Sequence, residues 1–124
     1  MERTFPDYYE NLRKLSGHPA RELRSPMSAF AQLSGTATGK GALSTKSKQV
    51  IALGIVVAVR CDGCIAHHLH DAIRAGGTRQ EIMETIGVAI LMGGGPAMVY
   101  GCEALEALEQ FPAAGLLPTG SGQA

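Results

Sequence analysis

Apolar residues recur along this chain at helical spacing, and the breaks between periodic segments fall on glycine and proline. Tyr8, Tyr9, Leu12 and Leu15 mark a first helix from Pro6 to Leu15, with Pro6 in a tolerated first-turn position and Gly17-His18-Pro19 ending it. A second helix is predicted from Pro26 to Leu33, where Met27, Phe30 and Leu33 recur every three residues before Gly35 to Gly41 break the pattern. Ser44 or Thr45 can accept a backbone N–H and cap a third helix. Within it, Val50 to Val59 contains no polar residue and so lacks the solvated face of a surface helix. The stretch falls far short of the ~20 residues that span a bilayer, so its cover must be protein. A domain this small is expected to borrow part of that cover from a neighbouring subunit, as an obligate homo-oligomer.

The segment that follows carries two cysteines, runs to Ala75 and stops at Gly76-Gly77, the residue type that accepts a left-handed helix end. Thr78-Arg79-Gln80-Glu81 has the spacing of a capping box and opens the next helix. Ile82, Ile86, Ala89, Ile90 and Met92 carry it to Gly93-Gly94-Gly95. After Pro96, the positions Met98, Val99, Cys102, Leu105 and Leu108 continue a final helix to about Phe111. The tail from Pro112 to Ala124, rich in Gly, Pro, Ser and Ala, is expected to be flexible. The chain therefore reads as all-α: an N-terminal helical extension over 1–25, a helical domain over 26–111 and a tail over 112–124. One rival pattern is a strand, because Val50, Ile51, Ile55, Val56, Val57 and Val59 are β-branched and could lead into the cysteines as in thioredoxin. That fold needs further strands after the redox helix, whereas residues 79–111 read as two helices.

Composition narrows the function. At 124 residues with 45% hydrophobic content, the chain fits one domain with its own core. Eleven basic and eleven acidic residues give no net charge, and Lys and Arg are scattered, so there is no footprint for nucleic acid. Met1 to Asp7 is polar and lacks the apolar core of a signal peptide, so a cytoplasmic protein without a membrane partner is expected. In a reducing compartment, three cysteines fit a catalytic or metal role for the close pair better than a disulfide framework. Cys102, a lone thiol among apolar and small residues, is expected to fill core space.

The candidate chemistry is Cys61-Asp62-Gly63-Cys64-Ile65-Ala66-His67-His68. On a helix these offsets place Cys61, Cys64 and His68 on one stripe. Two thiols that can close a short disulfide, with a base one turn along, form a redox-active dithiol. The positive end of a helix and the His68 imidazole can activate the thiols. Cys64, nearer the base, is the candidate for attack on a peroxide oxygen, and Cys61 for capture of the resulting sulfenic acid. The bland alternative for a CxxC is half a zinc site completed by His68 and one of His67, His70 or Cys102. On a helix, however, His67 and His70 point away from the cysteine stripe, and they are expected at the surface or an interface. Neither a metal nor an organic cofactor is expected.

These residues resemble the alkylhydroperoxidase D-like part of the carboxymuconolactone decarboxylase family. The likeness rests on the Leu43-Ser44 helix start, the apolar helix, Cys61-x-x-Cys64-x-x-x-His68, Ala72 to Gly77, Thr78 to Glu81 and the Ile86 to Met92 helix, and covers about residues 26–108. The resemblance implies an all-helical subunit that assembles into trimers or hexamers. It also implies hydroperoxide reduction with a lipoylated protein or similar dithiol as electron donor, Cys64 as the peroxidatic residue, Cys61 as the resolving one and His68 in a proton relay. The family's relay glutamate, twelve residues before the first cysteine, corresponds to Gln49, and a position sometimes held by histidine between the cysteines is Gly63. An amide cannot take up and release a proton as a carboxylate does, though it can orient His68. Decarboxylases of the wider family generally lack the cysteine pair, which makes lactone decarboxylation the weaker expectation. Thiol–disulfide exchange, or a redox-sensing or metal-binding role without turnover, remains as the alternative.

Overall fold

The computed structural model describes residues 4–113. Among them are six α-helices, α1 (Phe5–Gly17), α2 (Arg24–Thr38), α3 (Thr45–Ala58), α4 (Asp62–Arg74), α5 (Arg79–Gly93) and α6 (Gly95–Ala113), with a short 3₁₀ turn over Arg21–Leu23 before α2. The fold is all-α, as the periodicity predicts, and Val50 to Val59 lies in a helix rather than a strand.

Helix starts follow local chemistry. Thr4 and Asp7 form a capping box at α1 that the sequence reading did not single out, Ser44 caps α3, and Thr78 with Glu81 caps α5. The second helix is longer than its apolar spacing predicts, because Gly35 does not end it. An exposed helical glycine costs only ~1 kcal/mol against alanine, and the hydroxyls of Thr36 and Thr38 bond back to the carbonyls of Gln32 and Ser34. At the other end of the chain, Pro112 and Ala113 complete α6 rather than beginning a tail. The remainder of that expected tail lies outside the described residues.

The core forms where α3, α4, α5 and α6 converge and α1 lies over α4 and α6. Leu53, Val57, Ile65, Leu69, Ile82 and Phe111 are its largest fully buried side chains. Helix α6 contributes mostly small residues, Ala97, Ala104 and Ala107, together with Leu108 and Phe111, so the helices approach closely. Two groups of apolar side chains stay outside this core. Phe30 and Leu33 of α2 are exposed, the former by 70%, and no α2 residue is buried. On α3, Ile51 and Ile55 are exposed and line an apolar groove of about 490 Å3 with Gly54, Ala58 and, from α5, Val88 and Met92.

Helix α4 ends in a Schellman motif. The N–H groups of Gly76 and Gly77 donate to the carbonyls of Ile73 and Ala72, with Gly76 at φ +101°. A Cβ on Gly77 would stand 2.7 Å from the Ala72 carbonyl oxygen that its own N–H bonds, so no side chain fits there. Gly77→Ala is therefore expected to destabilise the chain by roughly 1–3 kcal/mol, measured as a lower urea midpoint with unchanged slope. Gly17→Ala, at an open helix end, serves as the neutral control.

Candidate active site

The site is built at the junction of α3 and α4. Helix α3 also ends in a Schellman pair, with Arg60 N–H donating to Val57 O and Cys61 N–H to Val56 O. Arg60 takes the left-handed position at φ +63°, where glycine is the usual occupant. This sharp reversal places Cys61 as the N-cap of α4 rather than inside it, with extended backbone at φ −124°, ψ 104°. The expected one-helix stripe is corrected accordingly: Cys64 and His68 share the helix, and Cys61 approaches from its cap. There its Sγ accepts the backbone N–H of Cys64 at 3.3 Å. The Cα atoms of Cys61 and Cys64 are 5.1 Å apart and the two sulfurs are joined as a disulfide. Both sulfurs thus sit at the positive end of α4, a place that favours thiolate when the bond is opened.

One turn along, His68 is half-buried, and its Nδ1 lies 3.2 Å from Oε1 of Gln49, itself buried on the inner face of α3. A carbonyl-type oxygen only accepts, so Nδ1 carries the proton and donates, leaving the Nε2 lone pair free. Burial lowers the His68 pKa below 6.5, His67 lowers it further, and Asp71 opposes both. The structure therefore brings Gln49 and His68 together as a neutral pair in which the amide orients the ring.

The neighbouring histidines divide. His67 is half-exposed and its Nε2 lies 3.2 Å from Asp71 Oδ2. His70, expected at the surface or an interface, is instead buried at 6% exposure, stacked 3.9 Å from the Tyr9 ring and edge-on to Phe111, with Nδ1 3.0 Å from Asp71 Oδ1. Its cover is α1, which no local pattern around His70 announces. Cys102 is also corrected. It is exposed, because the inward face of α6 runs through Ala97, Gly101, Ala104, Leu108 and Phe111 and leaves position 102 outside. Among the described residues, no group of three or more His, Cys, Asp and Glu side chains is placed to hold a metal ion.

Two acids, one at the start of α4 and one on α6, are not singled out by the sequence pattern. Asp62, the residue between the cysteines on the Cys61 side, has its Oδ1 shut from solvent with no hydrogen-bond donor. Glu103 of α6 faces it, and burial together with the Asp62 charge raises the Glu103 pKa. They are 41 residues apart, and only the helix packing joins them.

Because the folded-state pKa of His68 is lowered, the unfolded chain binds a proton more readily between that value and 6.5. Stability linked to this group is complete above pH 6.5 and is lost as pH falls through the folded pKa. An NMR titration should place the His68 midpoint below 6.5, and Gln49→Glu should raise it, since a carboxylate favours imidazolium. An unmoved midpoint in that variant would show that Gln49 does not control the ring.

Comparison with known proteins agrees with this geometry. The model of the carboxymuconolactone decarboxylase family, whose members include enzymes, matches residues 26–107. An uncharacterized protein of Cupriavidus necator is 38% identical over 79 residues, covering 64% of this chain and 70% of its own. Uncharacterized protein 4 in the cox locus of Paracoccus denitrificans is 36% identical over 98 residues, covering 79% and 88%. Among solved structures, a carboxymuconolactone decarboxylase family protein of Legionella pneumophila, crystallised in its apo form, superposes with a TM-score of 0.81 at 38% identity, over 86% of this chain and 96% of that one. The Thermotoga maritima protein TM1620 shares the fold at a TM-score of 0.73 and 24% identity, over 90% and 95%. With the family model covering most of the chain and the Legionella fold matching nearly end to end, this protein belongs to the carboxymuconolactone decarboxylase family.

Proposed function

We propose that the protein is a dithiol-dependent hydroperoxide reductase. The observation that carries the reading is the bonded pair Cys61–Cys64 at the start of α4, one turn from a neutral imidazole whose Nε2 is free to take a proton. In the reduced state, Cys64 gives its proton to His68, directly or through a water, and its thiolate attacks the terminal oxygen of a hydroperoxide. The O–O bond breaks, Cys64 becomes a sulfenic acid, and the alkoxide takes a proton and leaves as an alcohol. Cys61 then attacks the Cys64 sulfur, water departs and the disulfide closes. An external dithiol, such as a lipoyl group on a partner protein, reduces the disulfide by exchange and becomes a disulfide itself. This scheme needs no metal or organic cofactor.

Gln49 favours a second reading. With an amide in place of a titratable relay group, the same dithiol can serve thiol–disulfide exchange, which requires thiolate formation but no proton delivery to an alkoxide.

The apolar groove between α3 and α5 and the exposed residues of α2 support assembly as a homo-oligomer, a trimer or hexamer. Placed in the cytoplasm, it would meet a reducing dithiol pool. None of the helices among the described residues is long and apolar enough to cross a membrane. Sedimentation is expected to show a single oligomer, and Val88→Asp in the groove should dissociate it. A folded wild-type monomer at low micromolar concentration would remove the basis for this assembly.

Peroxide consumption driven by a dithiol tests the reaction itself. Cys64→Ser should abolish it, Cys61→Ser should leave a sulfenic acid that a dimedone reagent traps, and His68→Ala should slow it roughly 10²-fold. Parent-like consumption by Cys64→Ser would reject the assignment of roles. Insulin-disulfide reduction without peroxide turnover would instead select the exchange reading.

A further inference from the structure

Helix α1 packs on α4 and α6 with Phe5, Tyr9 and Leu12, whose spacing of four and then three residues puts them on one side of a helix. Two of the three are anchors. Phe5 is 5% exposed in the core, its N–H donates to Gln110 Oε1 at 2.8 Å, and Tyr9 stacks on His70 and meets Phe111 edge-on. The third reaches the redox turn. Leu12 lies against Gly63, one of the two residues between Cys61 and Cys64, so closely that a Cβ on that glycine would stand 3.0 Å from Leu12 Cδ1 and 3.9 Å from its Cγ. The leucine thus fills the space that a side chain at position 63 would take. Inside the turn, the bond from Ile65 N–H to Cys61 O holds the ends. Between them, Gly63 brings more backbone freedom than any other residue would, and the Cys64 N–H ends on sulfur, a weak acceptor. Two thiols joined by so free a link have a low effective concentration of one at the other unless something outside the turn confines it.

We infer that Leu12 is a positioning residue of the redox centre: packed on Gly63, it confines the Cys61–Cys64 turn once the disulfide has opened, and so makes the disulfide harder to reduce. The inference deepens the dithiol reading above and rests on it, since the pair must open and close for its poise to matter. Its direction follows from entropy. While the sulfurs are bonded the turn is already fixed, and Leu12 restricts it little further. Once the bond is open, packing is what keeps the thiols facing each other, so the freedom that Leu12 removes belongs to the reduced state. Removing the outer carbons of Leu12 therefore favours the dithiol. The clamp comes from a helix outside residues 26–107, the segment that the family model matches, so the residues that carry the cysteines do not by themselves set their redox poise. Leu12 is 41% exposed and stands apart from the buried core, so its replacement leaves the fold in place.

The test is the equilibrium of the full chain with mixtures of reduced and oxidised dithiothreitol, quenched by alkylation and read by mass spectrometry. Reduction breaks the S–S bond while two electrons and two protons pass from dithiothreitol, which closes to its own cyclic disulfide. The oxidised chain takes up one alkyl group, on Cys102, and the reduced chain three. Leu12→Ala should move the equilibrium constant roughly tenfold towards the dithiol, about 30 mV for a two-electron couple. Leu12→Met, which conserves the apolar volume, should keep the parent value. Leu15→Ala, on the same helix and 61% exposed, should leave it unchanged. An unmoved equilibrium in Leu12→Ala, or an equal shift in Leu15→Ala, would overturn the inference alone. In the wild-type chain, a nuclear Overhauser contact between the Leu12 methyls and the Gly63 α-protons should persist when the disulfide is reduced, and its loss on reduction would overturn the inference without any variant. A parent disulfide that dithiothreitol cannot open would reject the dithiol reading and this inference with it. Neither measurement involves peroxide, so a poise set by Leu12 in a chain that consumes no peroxide would reject the proposed reaction alone.

Discussion

The amide of Cys64 donates to the sulfur of Cys61, and this cap contact fixes where α4 begins, which way it points and what its first turn can do. Sulfur is a weak acceptor compared with the Ser, Thr or Asp oxygens usual at this position. A cysteine here sacrifices some capping strength and places a thiol where the free N–H groups of a helix meet the second sulfur. The reversal that makes the cap possible runs through Arg60 in the left-handed region. Arg60 has no steric advantage there, and the two Schellman bonds around it hold the turn against that local cost.

Local signals in the sequence are legible because they act over three or four residues. The capping box at Thr78, the serine cap at Ser44 and the glycine pair closing α4 all lie within one turn, whereas the expected Cys61–Cys64–His68 stripe holds only for Cys64 and His68, since Cys61 is the cap. What the sequence hid was set by contacts between distant segments. His70 is polar in isolation and becomes core only because Tyr9, 61 positions earlier, stacks on it. Cys102 sits in an apolar run, yet the core side of α6 is chosen by close helix approach through alanines and glycine rather than by its larger residues. Gly35 misled in the opposite sense, since a glycine in an exposed helix weakens the segment without ending it.

Helix α3 shows why a segment can be apolar on every side. Its inner face carries Leu53, Val56 and Val57 into the core together with Gln49, the polar residue that meets His68. Its outer face presents Ile51 and Ile55 to the groove shared with α5. One helix therefore orients the imidazole from one side and offers a sticky surface on the other, so a shift of α3 at the groove would be felt at the ring.

The docking of α1 has a consequence for where this protein can be cut. The family pattern begins at residue 26, yet α1 stacks Tyr9 on His70 and donates Phe5 N–H from its first turn to Gln110 Oε1 on α6, with Phe5 itself in the core. Leu12 also approaches Gly63, between the two cysteines, so closely that a Cβ there would meet its Cδ1 at 3.0 Å. A fragment trimmed to the shared homology segment would lose a wall of its redox centre and leave a buried imidazole facing water. The segment that the family model matches is thus smaller than the unit that encloses the site.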